Sequence, residues 1–180
     1  MKFWITLIAY EAAWFISVIG AGRGHTWPAL LAVALFAAWR LGVSTARDVE
    51  LRLMGLAFVL GLVFDGVLVR SGLLVYAAAW PAGIAPAWIL ALWLAFALTI
   101  VPLFGYLQGR PWLAAVFGAI GGPMAYLGAA RGWHAVSFTS PAWHALLWLA
   151  LGWGITLPLL TVLSRRWSQH PNPTALRSAS

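Results

Sequence analysis

Between Arg70 and Arg110 the sequence carries no charged side chain, and from Phe3 to Gly22 it carries one, Glu11. Apolar stretches of this length match the ~20 residues of helix that a bilayer core requires. Trp112 to Ala130 and Pro141 to Ser164 are likewise free of Asp, Glu, Lys and Arg. Charged residues make up 8% of the chain, where an ordinary globular domain carries roughly 25%. The sequence is that of an integral membrane protein.

Reading apolar windows against charges and turn residues predicts an all-α, polytopic membrane protein: a bundle of six transmembrane helices near 3–20, 27–43, 51–70, 87–107, 112–130 and 142–164. Residues 1–164 then form a single six-span domain, and the polar, proline-containing stretch 165–180 is expected to be a disordered cytoplasmic tail. The first segment lacks a small-residue cleavage site and reads as a retained signal anchor. Gly72 to Trp88 is apolar but holds Pro81, Gly83 and Pro86, so it reads as a surface-lying or re-entrant stretch on the outer face. Pro86 and Pro141 open two similar runs, "PAWILALWLAF" and "PAWHALLWLAL", in which proline suits a first helical turn and tryptophan the headgroup interface.

The net charge of +7 would suggest nucleic acid in a soluble protein, but these basic residues sit at span ends. Lys2, Arg40, Arg47, Arg52, Arg110, Arg165, Arg166 and Arg177 fall on one side of the six-span arrangement, and Arg23, Arg70 and Arg131 on the other. The positive-inside rule therefore puts both termini in the cytoplasm. Arginine outnumbers lysine ten to one, which hints at a GC-rich bacterial genome, and the expected location is a bacterial inner membrane. Cysteine is absent, which excludes disulfides, thiolate nucleophiles and thiolate-held metals.

Acids within spans are the informative residues, because a carboxylate at the bilayer centre costs about 3 kcal/mol or more unless paired, protonated or hydrated. Glu11 and Asp65 qualify. Asp65 lies about 21 Å along the third span and Tyr126 about 21 Å along the fifth, so a hydroxyl-to-carboxylate contact across helices is expected. Each acid has a plainer reading as interhelical glue. In the fifth span Ala114, Gly118 and Gly122 recur every fourth residue beside a second stripe of Gly121, Ala125 and Ala129. Gly118, Gly121 and Gly122 are therefore assigned to close helix packing. Pro123 cannot donate a backbone hydrogen bond, so the carbonyl near Ala119 should be freed and the helix kinked. Asp65, Tyr126, Glu11 and Pro123 make up the candidate polar centre or ligand site.

His25, His134 and His144 all fall on the outer side, but each has a tryptophan close by and their spacing fits no ligand signature. No metal or cofactor is expected. Most tryptophans lie near span ends and read as interfacial anchors; Trp14, Trp93 and Trp148 lie deeper, as core packing or a cavity lining. No catalytic triad, phosphate loop or zinc helix motif occurs.

The stretches "WFISVIGA", "DVELRLMGLAFVLGLVFDGVLVRSGLLVY", "PAWILALWLAFALT" and "GAIGGPMAYLGAARG" together resemble the domain-of-unknown-function 2878 family of small bacterial inner-membrane proteins. The resemblance covers nearly the whole chain apart from the tail. It implies a role near membrane-lipid chemistry, since members of that family are often encoded beside cyclopropane-fatty-acid-synthase-like enzymes. It also implies an uncharged amide where this chain has Glu11.

Three functions compete. The leading one is a non-enzymatic protein that binds a membrane lipid or serves a membrane-lipid-modifying enzyme, with a homo-oligomer as a further option. The second is a small transporter or permease with a midplane acidic site, suggested by the interrupted helix and buried acids. The third is a membrane-embedded lipid-modifying enzyme using Glu11 or Asp65 as acid or base, for which the sequence offers no nucleophile or metal cluster.

Overall fold

The computed structural model describes residues 2–169. Helix α1 (Lys2–Gly22) is followed by α2 (Trp27–Val43) and α3 (Arg47–Arg70), then strand β1 (Leu74–Tyr76). The chain continues through α4 (Ala87–Ala97), α5 (Ile100–Leu103), a 3-10 turn (Gly105–Gly109), α6 (Pro111–Trp133), strand β2 (Val136–Phe138) and α7 (Trp143–Gln169).

Among the described residues, four helices are long and apolar enough to cross a membrane: α1, α3, α6 and α7. The other two predicted spans are shorter. Helix α2 has 17 residues, and the segment expected as one helix over 87–107 is broken after Ala97. The break has a local cause: the Thr99 hydroxyl donates to the Phe96 carbonyl at 2.6 Å, and Pro102 has no N–H to continue the helical ladder.

Each long helix buries one stripe and exposes the other. In α3 the buried residues Val49, Leu53, Ala57, Gly61, Asp65 and Leu68 recur every three or four positions, which is one helical face. Val59, Val63 and Val67 are exposed on the same helix, as a lipid-facing surface requires. Helix α4 differs: Trp88 to Trp93, Ala95 and Ala97 are all buried. It forms the centre of the bundle, packed against α1, α2 and α3, while α6 and α7 make the most extensive helix pair.

The two strands form a small antiparallel ladder with Val75 opposite Ser137, a β element in a chain read as all-α. Gly72–Trp88 is tied down by this ladder: Leu74, Tyr76 and Ala85 are buried, while Ala79, Trp80, Ala82 and Gly83 remain exposed at the surface. The Trp88 indole donates to the Ala77 carbonyl at 2.9 Å. Helix α6 ends in a left-handed residue, His134 (φ 53°), and Ala135 N–H reaches back to the Ala129 carbonyl at 3.1 Å. With the His134 N–H donating to the Ala130 carbonyl at 3.2 Å, this is an αL C-cap, and it turns the chain into β2.

The ladder marks one end of the bundle. β1 follows α3 and β2 follows α6, and at the end of α1 Gly22 lies directly against the Trp133 carbonyl. Helices α1, α3 and α6 therefore end at the ladder, and α2, α4 and α7 start there. Helix α7 continues through Arg165 and Arg166 to Gln169, so the stretch expected as tail from 165 begins as helix. Residues 170–180 of that expectation lie outside the described residues.

Candidate functional site

Asp65 stands on the buried stripe of α3, five residues before its end, and is 0% exposed. Its Oδ1 accepts hydrogen bonds from the Tyr76 hydroxyl at 2.5 Å and the Tyr126 hydroxyl at 2.6 Å. Its Oδ2 accepts from the Trp93 indole N–H at 2.6 Å. One carboxylate thus joins α3, β1, α4 and α6. Hydrogen bonds to charged groups contribute about 1.5–3 kcal/mol each, and leaving any of these donors without a partner would cost about as much.

Tyr76, in β1 outside the long helices, shows how firmly the donors are held. Burial, and then the charge of Asp65 beside it, push its hydroxyl well above the ordinary tyrosine range, so it remains protonated and donating.

Glycines make room for the rings of this clasp. A side chain at Gly61 would collide with the Trp93 ring, and one at Gly122 with Trp153. The two indoles stack on each other, with centroids 4.6 Å apart and planes 14° from parallel. At Gly118 an added Cβ would run into the Trp153 carbonyl. Gly118 and Gly122 thus lie against α7. Gly121 does not: it is exposed, and a Cβ there would meet nothing within 4 Å.

Gly121 faces a cavity of about 570 Å³. Tyr10, Glu11, Trp14 and Val18 of α1 form one wall, and Phe117, Gly121, Ala125 and Ala129 of α6 the other. Trp93, Phe96, Tyr126 and Trp153 close the back. Near the ladder α1 and α6 meet, with the Trp133 ring 5.8 Å from Trp14 and 5.3 Å from Phe15. Farther from the ladder they part. Glu11, Phe117, Gly121, Met124 and Ala125 line the cavity and are exposed, so its mouth lies between the middles of two lipid-length helices. From Phe117 to Ala129 the α6 wall is about 18 Å long.

The predicted site residues therefore divide. Asp65 and Tyr126 are in contact; Tyr126 lines the cavity, while Asp65 sits behind it, holding Trp93 and Tyr126 in place. Glu11 is at the mouth, away from Asp65. Pro123 lies inside α6, which continues through it as helix, and it is not among the cavity-lining residues. Of the deeper tryptophans, Trp14 and Trp93 line the cavity, and Trp148 stacks on Phe64 at 5.9 Å. Among the described residues no three His, Asp or Glu side chains converge.

Sequence reasoning missed two features. Tyr76 and Trp93 complete the clasp, and neither could be paired with Asp65 before the ladder register and the central place of α4 were known. The second is a buried ion pair: Glu50 of α3 is 0% exposed, and the Arg40 guanidinium of α2 donates to its Oε1. By position in the sequence Arg40 is a flanking charge at the end of a span. Its presence in the last turn of an apolar helix, ten residues before an acid, was the available signal.

No curated protein and no solved structure matches the chain. The family described as a protein of unknown function, DUF2878, has a model that matches residues 3–159, bearing out the resemblance drawn from the residues, and the chain belongs to that family.

Proposed function

We propose that this protein crosses a bacterial inner membrane six times, with both termini in the cytoplasm, and that it takes an amphiphile from the bilayer into the cavity between α1 and α6. Two lines of support bear on the topology. Helix α2 and the α4-to-3-10 segment each lead from the ladder end to the opposite end, as crossings would. Arg40, Arg47, Arg110 and Arg165 gather at the end remote from the ladder, with Arg23, Arg70 and Arg131 near it. The heavier basic side belongs in the cytoplasm.

The observation that carries the binding reading is the mouth of the cavity. It opens between helix middles whose neighbouring surface is Ile8, Phe117, Ile120 and Met124, all exposed, so a ligand reaches it from the hydrocarbon rather than from water. The walls are apolar and the slot is elongated, which suits a chain better than a compact solute. Asp65 acts in this reading as a positioning residue, fixing the rings at the back.

Native mass spectrometry of the protein released from nanodiscs tests the proposal. One retained amphiphile per chain, enriched over its share of the surrounding lipid, is the expected result. Bare protein, or adducts in the proportions of the bulk lipid, would contradict it.

A further inference from the structure

The sequence holds four acidic residues. Asp48 is exposed in the first turn of α3; Glu50 has Arg40, and Asp65 has three donors. Glu11 stands apart. It has no hydrogen bond or ion pair among the described residues, it lies about 13 Å along α1, and it is the acid that lines the cavity. An unpaired carboxylate at that depth is unfavourable, and an ionised one calls for a counter-charge.

The cavity itself supplies no such charge, since no Lys, Arg or His lines it. It supplies aromatic rings instead: Tyr10, Trp14, Trp93, Phe96, Phe117 and Trp153 among them. Aromatic faces attract cations through the ring quadrupole, most strongly where water is excluded. A phosphate-bearing headgroup would find no positive partner there and would be repelled by Glu11. Charge complementarity thus selects within the broad class of amphiphiles.

We infer that the cavity takes a lipophilic cation, an amphiphile with an ammonium head and an apolar chain, with Glu11 as its counter-ion and the aromatic lining around it. This rests on the lateral-cavity reading above and narrows it. Glu11→Gln keeps the shape of the side chain and breaks no contact, so the variant is expected to fold.

The test compares two ligands in nanodiscs of zwitterionic lipid: an alkyl trimethylammonium and its neutral isostere with carbon in place of nitrogen. Binding is followed by the fluorescence of the cavity tryptophans, with empty nanodiscs correcting for partition. The wild-type protein should prefer the ammonium by about tenfold or more. Glu11→Gln should lose that preference while still binding the neutral isostere, and Glu11→Asp should restore part of it. Equal binding of the two ligands by the wild type, or a preference undiminished in Glu11→Gln, would overturn the inference and leave the cavity reading standing. Binding of neither ligand would remove both.

Discussion

Glu50 and Asp65 stand about 22 Å apart on one buried stripe of α3, and the protein satisfies them in opposite ways. Glu50, near the basic end, is matched by a full charge, the Arg40 guanidinium from α2. Asp65, near the ladder, is matched by three neutral donors from three other elements, with no basic group among its hydrogen-bond partners. The difference teaches that an ion pair and a clasp are not equivalent solutions to the same problem. An ion pair is self-contained, so both members can be exchanged together for apolar side chains with little loss. The donors around Asp65 are ring substituents of Tyr76, Trp93 and Tyr126, which are also core and cavity wall, and they remain wherever the carboxylate goes.

The sharpest way to break this comparison is Asp65→Leu, which keeps the branch at Cγ and leaves three buried donors facing hydrocarbon. At about 1–3 kcal/mol for each stranded donor, the expected loss is on the order of 4 kcal/mol or more, seen as a collapse of the thermal midpoint in detergent. Slightly smaller is the effect of Arg40→Met, which strands the Glu50 carboxylate and should cost about 3–5 kcal/mol. Asp65→Asn should be milder, about 1–2 kcal/mol, because the amide oxygen can still accept from Trp93 while the tyrosine hydroxyls turn to accept from its NH2. The smallest change is expected for Arg40→Met combined with Glu50→Leu, within about 1 kcal/mol of wild type. A double variant as damaged as Arg40→Met alone would show that the ion pair is no more replaceable than the clasp.

The same contrast explains what was legible in the sequence. Asp65 and Tyr126 could be paired because both are polar residues deep in apolar runs, and helical rise alone puts them at one depth. Glu50 and Arg40 left only a weak signal because each stands at the end of an apolar run, where charges are ordinarily flanks. The lateral cavity was hidden for a deeper reason. Lipid tails are as apolar as a neighbouring helix, so hydrophobicity does not say whether a face meets lipid, protein or empty space. Gly118, Gly121 and Gly122 illustrate this: one rule grouped all three as packing residues, and all three line the cavity, yet Gly118 and Gly122 lie against α7 while Gly121 has open space where a Cβ would stand. Helix α4 is a second case, since its sequence closely echoes the start of α7 but it is buried on every side while α7 exposes Leu147, Leu151 and Ile155.

The central claim is that the space between α1 and α6 is a binding site for an amphiphile, and filling it is the most direct test. Gly121→Leu places a side chain into that space from a position where a Cβ meets nothing within 4 Å. Gly55→Leu adds the same side chain at an equally open, exposed position on α3 that does not line the cavity. Native mass spectrometry of both variants from identical nanodiscs should show the bound amphiphile lost in Gly121→Leu and retained in Gly55→Leu. Equal retention in the two variants would contradict the account.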